Sequence, residues 1–457
     1  MTTFSALLNS PDLFREQGLI GGSWQDALSG ERREVFNPAS QECLGLYPYM
    51  GEAETRQAIE AAESAFASFR HSSAKTRGEI LERWADLLIA NADDLALILT
   101  SEQGKPLAEA RAEIAISADY LRWFAGESRR AYGRTIPSPL ATRRLLTVKQ
   151  PIGVTAHVTP WNFPMSMAAR KLAPAIAAGC TAVLKPSELT PYSAFAFAYL
   201  GEKAGLRAGV VNLVTGDAVS IGQALCAAEA VRKLSFTGST EVGRILYRQS
   251  AATIKKLSLE LGGNAPFIVF DDADIQAAAE GAFAAKFRNS GQTCVAANRI
   301  LVQASVHDAF AEALAAKMAT LKLGAGNEPG VTQGPLINQT AVEKVEAQIA
   351  DAVAKGARIE SGGTRLAAQS NFFTPTVVAN ATPAMRFFSE ETFGPLAPLI
   401  RFDEEADAIC LANDSIYGLA AFFYSRDVGR CWRVAEALDY GQVGINAGVI
   451  TTVEAPF

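Results

Sequence analysis

PIGVTAHVTPWNFPMSMAARKLAPAIAAGCTAVLKP, residues 151–186, holds two short β-rich runs, VTAHVT (154–159) and TAVLK (181–185), around a helical segment at about 164–178. The alternation continues through a helix at about 191–204, VVNLV (210–214), a helix at about 219–228 and KLSF (233–236). Strands and helices alternating in this way form βαβ units, and their connections build a parallel sheet with helices on both faces. Ligands bind such sheets beyond the carboxyl ends of the strands, and the polar motifs of this region fall there. A second α/β series occupies 266–446, with strands expected at FIVF (267–270), RILVQ (299–303), PLIRF (398–402), AAFFYS (420–425) and VGIN (443–446) and helices including 274–288 and 305–320.

Upstream, residues 52–70 and 74–101 have helical periodicity, and 105–130 reads as a further helix. In 74–101, Ile80, Trp84, Leu87, Leu88 and Ala92 share one face, the pattern of a helix packed on a core. Residues 134–150 carry Pro137 and Pro139, then a basic-flanked run from Arg143 to Val148. That stretch reads as an exposed hairpin or edge strand, which invites a partner chain.

At 457 residues the chain is too long for one core, so two or three domains are expected. Apolar residues at 49% and charged residues at 20% exclude a disordered chain. The net charge of −6, without a basic stripe, argues against a nucleic-acid partner. The longest nearly apolar run, Leu172 to Leu184, is broken by Pro174 and too short for a bilayer. MTTFSALLNSPDLF at the start lacks the charged and apolar blocks of a secretion signal, so a cytoplasmic location is expected. The six cysteines and three histidines are scattered, without the close spacing of a zinc or redox motif, and no metal site is expected.

Five segments carry groups with chemical potential. Lys185-Pro186-Ser187-Glu188 ends a strand and can hold the hydroxyls of a nucleotide ribose, although alone it is as readily a solvated turn. Phe236 to Gly243, FTGSTEVG, follows a strand and opens a helix; its glycines and helix N-terminus suit a pyrophosphate, but it matches neither GxGxxG nor a P-loop. Thr159-Pro160-Trp161-Asn162-Phe163-Pro164 holds an Asn stiffly enough to donate to an oxyanion, or simply closes a turn. Leu259-Glu260-Leu261 sets a carboxylate between apolar neighbours, where burial would raise its pKa towards that of a general base; the alternative is an exposed edge-strand Glu. Arg288 to Val295, RNSGQTCV, leaves a helix through a glycine turn that can present the Cys294 thiol, while most single cysteines are buried and inert. Together these segments supply what oxidation of an aldehyde to an acid requires: a nucleophile, oxyanion donors, a hydride acceptor and a base for water.

TPWNFP, KPSE, FTGSTEVG, LELGGNAP, GQTC and EETFGP (390–395) occur in the order found in the aldehyde dehydrogenase superfamily, which the chain resembles from about residue 15 to residue 457. The resemblance implies Cys294 as nucleophile, Glu260 as general base and Asn162 as oxyanion donor, with the Cys294 backbone N–H as second donor. It implies a dinucleotide held by Lys185 and Glu188 on the adenosine ribose, with Thr159, Trp161, Ser187, Gly238 and Ser239 beside it and Glu391 and Phe393 at the nicotinamide end. The implied α/β fold is a Rossmann-like NAD-binding domain (1–128 and 150–256), an α/β catalytic domain (257–446) and a small β oligomerisation arm (129–149). Residues 447–457 would lead to a tail beyond Glu454-Ala455-Pro456-Phe457 that completes a neighbouring subunit's sheet and the substrate pocket, giving a homodimer or homotetramer. Relatives with a second cysteine two residues past the nucleophile can form a disulfide; Ala296 stands there, so no such switch is expected.

Within the superfamily the chain looks most like succinate-semialdehyde dehydrogenases, whose pattern has arginines at the positions of Arg170 and Arg288. Guanidinium forks suit a substrate with a distal carboxylate. Gln292 is grouped with them as a substrate contact. Glutarate semialdehyde, one methylene longer, or a broader aldehyde range is the alternative. The Glu188 carboxylate would repel a 2′-phosphate, so NAD is expected to be preferred, with NADP admissible. A non-catalytic nucleotide-binding or structural protein on the same scaffold is the other class, and the joint presence of nucleophile, base and oxyanion donor argues against it.

Overall fold

Strands as apolar as TAVLK can be stable only when both faces are covered, and the Thr181–Lys185 strand is buried at every position. The computed structural model describes residues 4–455 and 457; Met1–Thr3, at the start of the first expected cofactor-binding segment, and Pro456, in the expected arm, lie outside the described residues. The chain divides into two units, each built on a seven-stranded sheet with parallel strands, the α/β class expected. The first comprises residues up to Phe36, Cys43–Glu102 and Ala110–Glu260; the second comprises Asn37–Glu42, Gln103–Glu109 and Leu261–Phe457.

In the first unit the spatial order is Lys256–Glu260, Val231–Thr237, Val154–Val158, Thr181–Lys185, Val211–Leu213, Gly18–Ile20, Ser23–Gln25. The first five are parallel and the last two form an antiparallel hairpin at the edge. The chain starts at the Val154 strand, moves outward through the Thr181 and Val211 strands, then crosses back to the Val231 strand on the other side. A reversal of this kind leaves a crevice beyond the carboxyl ends of the two central strands. Register then decides which side chains meet there: Val158 pairs with Lys185 and with Phe236, and Thr237 pairs with Glu260.

The helices following the central strands begin in buried surroundings, where first-turn N–H groups lack a helical acceptor. Glu113, on the helix Leu107–Ser128, accepts from the Met165 and Ser166 N–H groups at 3.0 and 3.1 Å, at the start of the helix Pro164–Ala177. Glu102, at the end of the helix Ala92–Gln103, accepts from Tyr192 and Ser193 N–H at 2.7 and 2.8 Å, at the start of the helix Tyr192–Lys203. Burial pushes the Glu102 carboxyl up to about 8, against the pull of Ser193 and those N–H groups. The helix expected over 74–101 is two helices, Ala74–Ala90 and Ala92–Gln103, because Asn91 leaves helical geometry and its side-chain amide donates to the Leu87 carbonyl at 2.8 Å. Arg134–Ile136 and Leu145–Thr147 form an antiparallel hairpin with every residue exposed.

In the second unit the order is Arg358–Ser361, Thr376–Ala381, Leu396–Phe402, Ala297–Gln303, Ala265–Val269, Ala420–Tyr424, Gln442–Ile445, parallel except for the first pair. Ile275–Phe287 and His307–Met318 pack on one face around Phe267, Val269 and Val302; Gln339–Ala354 and Val428–Ala437 pack on the other around Ile268, Leu301 and Phe423. Among the described residues, no helix is long and apolar enough to cross a membrane.

Glu113→Ala should strand two buried N–H donors. We expect a loss of roughly 2–5 kcal/mol of unfolding free energy, read as a lower denaturant midpoint at unchanged slope.

Candidate active site

On the first unit, the TPWNFP segment is the connection from the Val154–Val158 strand to the Pro164–Ala177 helix. The Thr159 N–H donates to the Lys185 carbonyl at 3.1 Å, which extends the sheet pairing one step past the strand end. The Trp161 carbonyl accepts from Thr190 Oγ1 at 3.4 Å, and Asn162 is buried immediately before the helix that Glu113 anchors. Lys185 is buried at its strand end and its Nζ donates to Glu188 Oε2 at 2.9 Å. Burial pushes the Glu188 carboxyl up, but the Lys185 ammonium beside it outweighs that and holds it below the usual range. Ser187 is buried and its Oγ accepts from Leu189 N–H at 3.2 Å, so it shapes the turn that carries Glu188.

The Gly238 N–H donates to the Glu260 carbonyl at 3.0 Å, continuing the register past Thr237. Ser239 caps the helix Thr240–Ser250, its Oγ accepting from Val242 N–H at 3.3 Å. The first-turn N–H groups there carry the positive end of the helix dipole, the local chemistry that suits a diphosphate. A charged donor–acceptor pair at one strand end and a helix N-terminus at another fit a dinucleotide's ribose and diphosphate.

Glu260 ends the edge strand Lys256–Glu260 and is half-buried. Burial raises its carboxyl above the ordinary range, with Lys171 and Arg170 pulling it back down. Lys171 was not singled out in the sequence. It is buried, its Nζ donates to Ser235 Oγ at 2.9 Å, and burial lowers its ammonium to about 7 despite the nearby Glu260. A Lys beside an Arg in a helix gives no sequence signal of burial; only the packing of the helix on the Val231–Thr237 strand does. Arg170, one residue earlier, sets its guanidinium 5.1 Å from the Tyr120 ring centroid.

On the second unit the motifs gather at the amino ends of the parallel strands, not the carboxyl ends. Gly262 and Gly263 precede Ala265–Val269, Cys294 precedes Ala297–Gln303, and Glu391 precedes Leu396–Phe402. The helix Ile275–Phe287 ends before Arg288, and the chain then passes through three consecutive residues in the left-handed region: Asn289 (φ 52°), Ser290 (φ 55°) and Gly291 (φ 75°). Only the last is free of Cβ strain, and each non-glycine residue there costs about 1–2 kcal/mol. The turn brings the chain round so that Cys294 is half-buried while every other residue of 289–300 is buried.

Gln292, expected to contact substrate, has both ends of its side-chain amide bonded to backbone groups. It is 1% exposed; its Nε2 donates to the Asn289 and Pro335 carbonyls at 3.2 and 3.5 Å, and its Oε1 accepts from Ile337 N–H at 2.9 Å. An amide with both ends engaged by backbone is scaffolding for the turn. Glu391 Oε1 accepts from the Gly263 N–H at 3.0 Å, and burial raises its carboxyl above the ordinary range against the pull of that N–H, Lys344 and Lys286. Lys286, also missed in the sequence, is fully buried and donates to Asn298 Oδ1 at 2.6 Å. Phe393, in EETFGP, has φ 53°, an unusual conformation for an aromatic residue. Among the described residues, no cluster of His, Cys, Asp or Glu is placed to hold a metal, and the six cysteines are unbridged.

One sheet ends in a nucleotide-type Lys–Glu pair and the other presents a thiol from a strained turn, an oxidoreductase pattern with a covalent nucleophile. The aldehyde dehydrogenase family profile matches residues 24–457, and the chain belongs to that family, whose members use NAD(P). It is 56% identical over 450 residues to the glutarate-semialdehyde dehydrogenase of Pseudomonas putida, covering 98% of this chain and 93% of that one. It is also 56% identical, at the same coverage, to the NADP(+) succinate-semialdehyde dehydrogenase of Escherichia coli. The crystal structure of succinate-semialdehyde dehydrogenase from Burkholderia pseudomallei is similar at a TM-score of 0.98 and 59% identity, over 98% of this chain and 93% of that one.

A Cβ on Gly263 would stand 2.1 Å from the Cys294 carbonyl oxygen, and one on Gly291 would stand 2.2 Å from that of Gly394. Neither neighbour is a flexible side-chain end, so the nucleophile segment must move. Gly263→Ala should therefore lower dehydrogenase turnover about 100-fold or more while circular dichroism stays native, the scale expected when a reacting group shifts by about an ångström.

Proposed function

We propose that the chain oxidises a small ω-carboxy aldehyde, succinate semialdehyde to succinate in the leading reading, with Cys294 as nucleophile. The observation that carries this is the half-buried Cys294 on a left-handed turn of otherwise buried residues. A thiol in that setting reaches substrate while backbone N–H groups around it favour negative charge.

The Cys294 thiolate attacks the aldehyde carbon, and the oxyanion of the thiohemiacetal accepts hydrogen bonds from the Asn162 side-chain amide and the Cys294 backbone N–H. The hydride leaves that carbon, and a nicotinamide dinucleotide, when bound, would supply the acceptor for it. Thr159, Trp161, Lys185, Ser187, Glu188, Gly238 and Ser239 would hold its adenosine and diphosphate, and Glu391 and Phe393 its nicotinamide end. The thioester left on Cys294 is then hydrolysed: Glu260 takes a proton from water, the hydroxide adds to the carbonyl, and the carboxylic acid departs as the Cys294–carbon bond breaks. Glu260 suits this step because its raised pKa makes it a stronger base than an exposed glutamate. Arg170 and Arg288 would clamp the distal carboxylate through bidentate pairs. Glutarate semialdehyde is the second reading, favoured by the Pseudomonas putida relative. Glu188, kept ionised beside Lys185, would repel a 2′-phosphate, so NAD is the proposed preference. The exposed hairpin of Arg134–Ile136 and Leu145–Thr147 would serve as the oligomerisation arm.

Cys294→Ala should abolish turnover, and retained activity would remove it as nucleophile. Glu260 works only when deprotonated, so deacylation should fade as pH falls through a pKa above the usual glutamate range. Glu260→Gln should erase that acid limb in single-turnover kinetics.

Substrate class is tested by kcat/KM for the four- and five-carbon semialdehydes and for an uncharged aldehyde, each with NAD and with NADP. Arg170→Ala and Arg288→Ala should each lower kcat/KM about 30-fold or more for the semialdehydes, the scale of a lost charged hydrogen bond, and leave the uncharged aldehyde unchanged. A fast uncharged aldehyde indifferent to both arginines would dismiss the clamp, and a higher kcat/KM with NADP would dismiss the NAD preference.

A further inference from the structure

Three segments far apart in sequence interlock behind Cys294. The first is Gln103–Glu109, which belongs to the second unit although it lies early in the chain. The second is Asn289–Gln292, the left-handed turn, and the third is Gly334–Ile337. The first and third approach closely enough that a Cβ on Gly334 would stand 2.0 Å from the Gly104 carbonyl oxygen, and Gly104 itself has φ 97° against Pro335 and Pro38. The third holds the second through Ser290 Oγ donating to the Gly334 carbonyl at 2.8 Å and through the Gln292 contacts with Pro335 and Ile337.

The first also holds the second, through a charge. The Asn289 N–H donates to both carboxylate oxygens of Glu109, at 2.9 and 3.2 Å. Glu109 sits half-buried in the first turn of its helix, and Asn289 is 1% exposed, so water is a poor substitute acceptor. Asn289 begins the left-handed run. Losing the carboxylate would remove the acceptor of a buried N–H at the start of a strained turn.

We infer that Glu109 is a positioning residue for Cys294: it holds the left-handed turn in place and through it sets the reach of the thiol. This rests on Cys294 as nucleophile. The role assigned to Glu109 is indirect, through the turn, so its effect belongs to kcat and thiol reactivity, and binding of the dinucleotide should be indifferent to it.

The test compares Glu109→Ala, Glu109→Asp and Glu109→Gln. Readouts are kcat, KM for the dinucleotide, and the rate at which iodoacetamide alkylates Cys294, followed by peptide mass mapping so that it does not depend on turnover. Glu109→Ala should lower kcat and the alkylation rate about 10-fold or more with KM for the dinucleotide unmoved, since a small displacement of a reacting group is costly. Glu109→Gln should stay within about threefold of wild type, because its amide oxygen accepts the same N–H. Thermal stability reduced in Glu109→Ala with kcat and alkylation within about twofold of wild type would overturn the inference and make the contact merely structural. If Glu109→Ala does not fold, Glu109→Asp decides: its shorter carboxylate falls back from Asn289, and an unchanged alkylation rate overturns the inference equally. Cys294→Ala retaining activity would instead defeat the functional reading, a result these alkylation rates do not mimic.

Discussion

A backbone N–H taken out of water must find an acceptor, and helix starts and irregular turns have none of their own. Glutamates supply it at four such places in this chain. Glu113 takes the start of the helix after TPWNFP, Glu102 the start of the helix after KPSE, Glu109 the left-handed turn before Cys294, and Glu391 the Gly263 N–H beside it. Each carboxylate comes from a part of the chain remote from the segment it holds. A carboxylate accepts two N–H groups at once and complements the positive end of a helix, which neither a carbonyl nor a hydroxyl does as well. Several of the segments carrying the chemistry are irregular, and such carboxylates are what makes irregular backbone stable in a buried place.

The parallel strands were legible because burial on both faces demands continuous apolar runs: TAVLK and FIVF are buried throughout, and Thr181–Lys185 and Ala265–Val269 fall where they were expected. Arg358–Ser361 was not legible, being mostly exposed and polar, and neither was Ser23–Gln25 at the other sheet's edge. Asn91 splits a helix whose apolar face runs on unbroken, because the break is a side-chain bond to the Leu87 carbonyl rather than a change of pattern. The transfer of Asn37–Glu42 and Gln103–Glu109 to the second unit depends on close approaches at Gly104 and Gly334, which leave only two ordinary glycines in the sequence.

The candidate site divides in the same way. Along the first sheet, strand ends and the crossing point could be counted off the pattern, and the register pairs Lys185 with Val158 and Thr237 with Glu260. On the second sheet the chemistry lies at the amino ends of the strands, where that rule gives no guidance; there Cys294 was legible through its glycine turn, and Glu391 and Phe393 through family resemblance alone. Gln292 was placed by resemblance, and the structure adds what the fold does with it. A polar residue two positions from a nucleophile looks like a ligand, and only the positions of the Asn289, Pro335 and Ile337 backbone groups reveal that both ends of its amide are engaged. Lys171 was passed over in the sequence, and its burial places a cation near Glu260.

Glu188 and Glu260 are the same side chain with opposite tasks in the proposed reaction, and their surroundings separate them. Glu188 is partly buried, which alone would raise its pKa, but an ammonium at 2.9 Å holds it ionised as an acceptor for hydroxyls. Glu260 lies near two cations, yet Lys171 donates to Ser235 rather than to it, and burial prevails. A direct partner is thus what distinguishes the two. Pairing Glu260 as closely as Glu188 is paired would lower its pKa and leave a weak base, while leaving it no cation at all would raise it further. Lys171, turned aside to Ser235 and itself lowered to about 7, holds the carboxyl between those limits.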